Sequence, residues 1–310
     1  MAFSSKKIRS ILLVILLVLC ALPLSACITK HYLKKEIASA DRDPITGVIR
    51  GCEAVTLQPA SDTALTTPTA CLLVHGFMAA RSDFNDLGQD LAAKGFTVRM
   101  LRLPGHGTTA PDFAWQPDGA LLKGVEAEYR ALRAQYPRVY VIGFSMGGAL
   151  STLLASEERP DKLVLTAPYY GVTYQWYYVL PAETWNKTLG FFISYLIRPK
   201  NMEKVNDHTA RGKFFHYNIL TTSGARQLID LGEAARQDSV LAKIKSPLLM
   251  VHSKNDEAAS FAAAKRVFGK IGSARKEFME LERSNHMLFW DYDHDAVKQK
   301  IAMFLLEEEK

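Results

Sequence analysis

Cysteine is scarce in this 310-residue chain: there are only Cys20, Cys27, Cys52 and Cys71, and no pair has the close spacing of a metal site. No basic run is interleaved with aromatics, so nucleic-acid binding has no support. Internal repeats and long low-complexity tracts are also missing, which excludes solenoid and linker-like architectures. Net charge looks basic at +6, but the first 26 residues hold Lys6, Lys7 and Arg9 with no acid, and without them the balance is +3. What remains is an ordinary globular composition, 48% hydrophobic, long enough for one large domain or two small ones.

The cations at the N-terminus precede an apolar run from Ile11 to Leu22. That run is short for a bilayer span and has the charge-then-apolar order of a secretory signal. It ends in Leu24-Ser25-Ala26-Cys27, which resembles the bacterial lipobox. The resemblance implies a signal peptide over 1–26 and a diacylglycerol thioether and amide-linked acyl chain (palmitate, for example) on Cys27. Several such chains hold a protein on a membrane, at about 0.8 kcal/mol per buried methylene. The expected location is the bacterial cell envelope. Ile28 stands where an inner-membrane retention aspartate would be, which favours the outer membrane. Cys20 then leaves with the signal. Cys52 and Cys71 remain, either as a disulfide outside the cytoplasm or as two buried free thiols.

Residues 27–45 are polar and suit a tether. Beyond them strand and helix patterns alternate: strands over Val48–Leu57, Cys71–Val74, Thr97–Leu103, Val139–Ile142, Leu163–Thr166 and Pro247–His252. Helices are expected over Ser82–Lys94, Gly119–Tyr136, Gly147–Ser156, Ala258–Phe268 and Asp295–Leu306. Continuous apolar strands between helices predict an α/β fold with a mainly parallel sheet covered on both faces. Between Pro168 and about Lys243 no good central strand occurs, so 169–243 is expected to be a helical cap on a core of 46–168 and 244–310. The cap would overlie the C-terminal edge of the sheet, where open α/β sheets bind ligands.

Gly143-Phe144-Ser145-Met146-Gly147 follows a buried strand and opens a small-residue helix, the setting of a nucleophile elbow. Side chains two positions either side of the serine would clash in so sharp a turn, and Gly143 and Gly147 remove them. A serine hydroxyl needs a base, and the base needs an orienting acid. Of the downstream His208, His216, His252, His286 and His294, the best base is His286, in a loop between a possible edge strand (Glu277–Leu281) and the last helix. His252 more plausibly packs, and His294 is a solvated helix-terminal residue. Asp256 follows the Leu248–Val251 strand and is preferred as the acid over Glu257. Its competing role is capping the Ala258–Phe268 helix. The N–H groups of Met146 and of Phe77, in the loop after the Leu72–Val74 strand, suit an oxyanion hole.

Together, His75-Gly76-Phe77, Leu103-Pro104-Gly105-His106-Gly107, Gly143–Gly148, Asp256 and Ser284-Asn285-His286 resemble the bacterial carboxylesterase and monoacylglycerol-lipase branch of the α/β-hydrolases. The resemblance runs from about Cys71 to the C-terminus, excluding much of the cap. It implies an α/β-hydrolase fold, Ser145, Asp256 and His286 as catalytic triad, Phe77 and Met146 as oxyanion donors, and no cofactor or metal; His75 and His106 are structural. Glu257-Ala258-Ala259 departs from the branch, which has a larger aliphatic residue there, and could place a second acid beside the histidine. The cap is rich in aromatics (Tyr169, Tyr170, Tyr174, Trp176, Tyr177, Tyr178, Trp185, Phe191, Phe192 and Tyr195), and Thr188–Ile197 reads as a helix apolar around much of its girth. That helix packs on the core, lines an acyl pocket or touches the membrane. The expected activity is hydrolysis of lipophilic acyl or monoacylglycerol-type esters. The alternatives are amide, lactone or carbon–carbon bond cleavage or acyl transfer on the same triad, and a non-catalytic envelope lipoprotein.

Overall fold

The computed structural model describes residues 27–174, 184, 194–197 and 203–307. The signal segment 1–26 lies outside the described residues, as do most of the Thr188–Ile197 stretch and the cap aromatics Trp176, Tyr177, Tyr178, Trp185, Phe191 and Phe192.

Seven strands form one sheet: β1 (Val55–Leu57), β2 (Thr69–Val74), β3 (Thr97–Met100), β4 (Arg138–Phe144), β5 (Lys162–Thr166), β8 (Leu248–Ser253) and β9 (Lys276–Leu281). Their spatial order is β1-β3-β2-β4-β5-β8-β9. Every pairing is parallel except β1 on β3, which is antiparallel. Side chains alternate across the sheet and split the core in two. Leu72, Val74, Val141, Leu165 and Met250 belong to one cluster, with residues of helices α4 (Ala120–Arg133), α5 (Met146–Glu157) and α8 (Phe261–Lys270). Leu73, Ile142, Phe144, Val164 and Val251 belong to the other, with residues of α2 (Leu87–Ala93) and α9 (His294–Leu306). This is the two-sided α/β architecture that the continuous apolar strands predict.

Several boundaries differ from expectation, for local reasons. The Val48–Leu57 strand is reduced to β1, because Gly47 and Gly51 turn the chain at φ 68° and 88°. The Ser82–Lys94 helix breaks into a 3₁₀ turn (Arg81–Phe84) and α2, since Asn85 is left-handed at φ 49°. A short helix, α3 (Ala110–Ala114), is set by the Thr109–Asp112 capping box.

The tether reading of 27–45 is corrected. Residues 27–39 form helix α1, and a three-residue stripe docks it: Thr29 is buried, Leu33 packs on the core, and Glu36 Oε1 accepts the backbone and side-chain N–H of Asn218 at 2.8 and 3.3 Å. The inserted region is also not purely helical. Tyr195–Ile197 is strand β6, expected as the end of a helix, and pairs antiparallel with β7 (Ile219–Thr221). The following α6 (Thr222–Ala235) packs on α5 and so joins a core layer, and α7 (Asp238–Leu241) leads back to the sheet.

The disulfide alternative is corrected too. Cys52 and Cys71 are both free and buried. Cys71 sits mid-strand under α2 and α9, whereas Cys52 packs with Val48 and Ala80 in a separate small cluster. Burial pushes both thiols up, Cys52 to about 12. Titration with a thiol reagent should therefore show two extra reactive thiols on unfolding, with no prior reduction needed. A requirement for reductant would contradict the free state.

Candidate active site

Ser145 lies at the tip between β4 and α5 with φ 53° and ψ −117°, a conformation disfavoured for a residue with a side chain. Such strain costs about 1–3 kcal/mol and persists only where the surroundings impose it. Here they do: a Cβ on Gly147 would strike the carbonyl oxygens of Val74 and His75, and one on Gly143 would strike Gly147 and Ser151. Backbone therefore meets backbone, and the serine side chain is the one that projects.

His286 Nε2 stands 2.9 Å from Ser145 Oγ, and His286 Nδ1 stands 2.8 Å from Asp256 Oδ2. Because a carboxylate only accepts, Nδ1 carries the ring proton and Nε2 faces the hydroxyl as an acceptor. Asp256 does not cap the following helix; Ser260 does, accepting from Ala263 N–H at 3.2 Å. Asp256 Oδ1 instead takes the N–H groups of Ala258 and Ala259, each at 2.8 Å. Burial alone would raise this carboxyl. The nearby His286, its hydrogen bond, His252 and the Ala258 N–H outweigh burial, and the group sits below its ordinary range.

The structure thus brings Ser145, His286 and Asp256 together, and leaves the other histidines elsewhere. His252 is buried with Nδ1 3.9 Å from Asp256 Oδ2, behind the acid rather than over the serine. His294 begins α9 at the surface, and His208 lies in an exposed turn. His216 is nearer, in the cavity wall, 3.6 Å from Glu203. The second acid beside the histidine is corrected: Glu257 turns outward to an ion pair with Lys204 at 2.8 Å.

The two expected oxyanion amides lie on either side of Ser145's surroundings: Phe77 lines the cavity with Ser145, and Met146 follows the serine in the chain. Met146 is the first residue of α5, so its N–H has no intrahelical acceptor. In the Gly76–Met78 loop, Gly76 N–H is taken by Asp83 Oδ2 at 2.8 Å and Met78 N–H by His106 Nε2 at 3.2 Å. Phe77 N–H, between them, has no acceptor among the described residues. His75 and His106 hold this loop: each ring accepts a backbone N–H on Nε2 and donates from Nδ1 to a carbonyl. Among the described residues no cluster of His, Cys, Asp and Glu could hold a metal ion.

Sequence reasoning missed two supports. Asp83 anchors the Phe77 loop from a position read only as helix. Asn285 Oδ1 accepts the N–H of Glu257 at 3.0 Å and of His286 at 2.9 Å, tying the acid loop to the histidine loop. A motif with an amide directly before His286 was visible, but its role needs both loops in view. Asp291 and Asp293 brace the same turn, accepting the N–H groups of Asn285 and Ser284.

A cavity of about 270 Å³ opens over Ser145 and His286, and much of its wall is apolar: Phe77, Phe214, Phe215, Leu220, Leu228 and Met287.

Two outcomes test this architecture. Asn285→Ala should lose about 1–3 kcal/mol of stability in denaturant titration by stranding two N–H groups, whereas Asn285→Asp, which keeps the acceptor, should lose less. Burial also lowers His75 to about 4 and His106 well below its ordinary value. The unfolded chain then binds protons that the folded protein refuses. Stability should be flat above pH 7 and fall from about pH 6.5 towards 4, with a smaller slope in His75→Gln.

The chain resembles several known proteins over this same region. It is 28% identical to a thermostable monoacylglycerol lipase from Bacillus sp. (strain H-257), across 76% of this chain and 90% of that one. It is 23% identical to a carboxylesterase from Bacillus subtilis (strain 168), across 76% and 92%. Among solved structures, one described under the metagenome-derived lipolytic enzymes LipS and LipT superposes with a TM-score of 0.72 at 22% identity, covering 84% of this chain and all of that one. A soluble variant of the monoglyceride lipase of Saccharomyces cerevisiae superposes with a TM-score of 0.70 at 14% identity, covering 82% and 90%. These superpositions establish the α/β-hydrolase fold. The Hydrolase_4 pattern, described as serine aminopeptidase S33, matches residues 67–293, and the chain belongs to that family of α/β-hydrolases.

Proposed function

We propose that this protein is a serine carboxylesterase acting on lipophilic esters of the monoacylglycerol type. The observation that carries this reading is the unbroken chain Asp256–His286–Ser145 at 2.8 and 2.9 Å beneath an apolar cavity. In the mechanism, Ser145 Oγ attacks the ester carbonyl carbon while His286 Nε2 takes the hydroxyl proton. Asp256, held ionised, fixes the imidazole tautomer and stabilises its charged form. The negative charge that develops on the carbonyl oxygen is received by the N–H groups of Phe77 and Met146, at the positive end of α5. His286 then protonates the leaving alcohol, and the acyl group stays on Ser145. Water, deprotonated by His286, releases the acid and restores the serine.

The cavity wall favours an acyl chain over a charged group. Removing apolar surface from water is worth about 25 cal/mol per Å², so each methylene that fits adds to transition-state binding until the cavity is full. The ester reading is preferred to aminopeptidase chemistry, although the family description names a serine aminopeptidase. Capturing a free α-amino group calls for a carboxylate left open to it. Around this cavity Asp83 holds Gly76, Glu203 accepts Gly212 N–H at 2.8 Å and faces His216, and Glu257 is paired with Lys204.

The location follows the same reading: acylation of Cys27 would fix the enzyme to the cell envelope, at the outer membrane, beside lipid substrates. Among the described residues no helix is long and apolar enough to cross a membrane.

A fluorophosphonate should label Ser145 stoichiometrically, with none on Ser145→Ala. Asp256→Asn should lower kcat by about 10⁴. Against a series of p-nitrophenyl esters, kcat/KM should climb with chain length and then drop where the cavity is filled. Cleavage of aminoacyl p-nitroanilides without ester turnover would replace the esterase reading with the peptidase one.

A further inference from the structure

Helix α1 carries more than its docking stripe. Apart from Thr29, Leu33 and Glu36, its side chains face solvent, and they are apolar, basic or small. Ile28, Tyr32 and Ile37 are 43%, 50% and 36% exposed, and Lys30, Lys34 and Lys35 stand among them. Glu36, the one acid of 27–39, is turned inward onto Asn218. An exposed helix with three lysines, two isoleucines, a tyrosine and no outward acid has the make-up of an interfacial segment on an anionic surface. We propose that the outward side of α1 rests on an anionic phospholipid bilayer, so that the helix orients the enzyme on the membrane.

The bilayer is the occupant that the chain itself selects. Five residues upstream of Cys27 ends the apolar run Ile11–Leu22, itself preceded by Lys6, Lys7 and Arg9. On the reading that Cys27 is acylated, and equally if the apolar run is kept, α1 would start at the membrane. Thirteen helical residues extend about 20 Å, enough to lie along the headgroups. The docking makes the contact directional. Asn218, the partner of Glu36, is two residues from Leu220, which lines the cavity, and β6, paired with that strand, exposes Leu196 and Ile197. Rotation of the helix about its anchor would drag the cavity wall with it, so the membrane contact fixes where the wall sits above the leaflet. An ester could then pass from leaflet to cavity without entering bulk water, a consequence that rests on the esterase reading.

The test uses the full-length protein reconstituted in vesicles of phosphatidylcholine with or without phosphatidylglycerol, containing a monoacylglycerol, alongside a water-soluble p-nitrophenyl ester. The triple variant Lys30→Glu, Lys34→Glu, Lys35→Glu should keep its turnover of the soluble ester. On phosphatidylglycerol vesicles it should lose about tenfold, with the wild type losing comparably in high salt. In a separate Tyr32→Cys variant, a polarity-sensitive fluorophore should shift to the blue on phosphatidylglycerol vesicles. The same dye at Lys270→Cys, near the start of β9, should not. Equal, measurable vesicle rates for wild type and triple variant overturn the proposal, as does a dye at position 32 that stays in water. A shift produced by protein concentration alone assigns the face to a second copy of the chain and also overturns it. If the dye shifts while the wild type hydrolyses neither ester, the docking stands and the esterase reading fails.

Discussion

The close approach of α5 to the end of β2 is the contact on which the site depends. With no Cβ on Gly147, the first turn of α5 lies directly against the carbonyl oxygens of Val74 and His75. That single packing event does three things. It forces Ser145 into its strained turn, it brings the Met146 amide beside the serine, and it sets α5 against the strand whose continuation carries Phe77. Ser145 and the amides of Phe77 and Met146 are thus placed by backbone-to-backbone contact, which leaves little freedom for side-chain repacking to disturb them.

Around that contact the molecule uses buried polar groups as fasteners. His75 and His106 are kept neutral by burial, and each bridges a backbone N–H to a backbone carbonyl. Asp83, Asn285, Asp291 and Asp293 accept main-chain N–H groups from loops that regular secondary structure does not satisfy. A loop without ladder hydrogen bonds must find partners or lose stability, and here the partners come from side chains fixed on neighbouring elements. Burial lowers both imidazoles, so each makes its paired bonds as a neutral ring.

The central strands and the glycine-flanked turn at Ser145 were legible because each is written locally, in runs of four to eight residues. Asp256 was separable from Glu257 by its distance past the strand, and the geometry distinguishes them the same way. Asp83 and Asn285 were not legible, since their value lies in acceptors aimed at backbone in other loops. The segment 27–45 looked like a tether because few of its positions bear the docking load: Thr29, Leu33 and Glu36 along α1, and Arg42, which donates to the Thr108 carbonyl at 2.9 Å, too few to stand out against the lysines. Strand β6 was read as helix because Tyr195-Leu196-Ile197 is apolar at any period, and only its partner Ile219–Thr221 decides the matter. The pairing of Cys52 with Cys71 was undecidable from spacing, because the two sit in separate clusters that only the folded chain defines.

The bond between Glu36 and Asn218 has a further meaning for modularity. The residue before Asn218, Tyr217, donates its N–H to the carbonyl of Met78 at 3.2 Å, next to Phe77. Helix α1 is therefore joined to the core two steps from the Phe77 loop. A boundary drawn at residue 46 would cut the bond from Asn218 to Glu36 and strip the packing of Leu33 from the core. What looks like a leash in the sequence is a helix docked on the hydrolase fold.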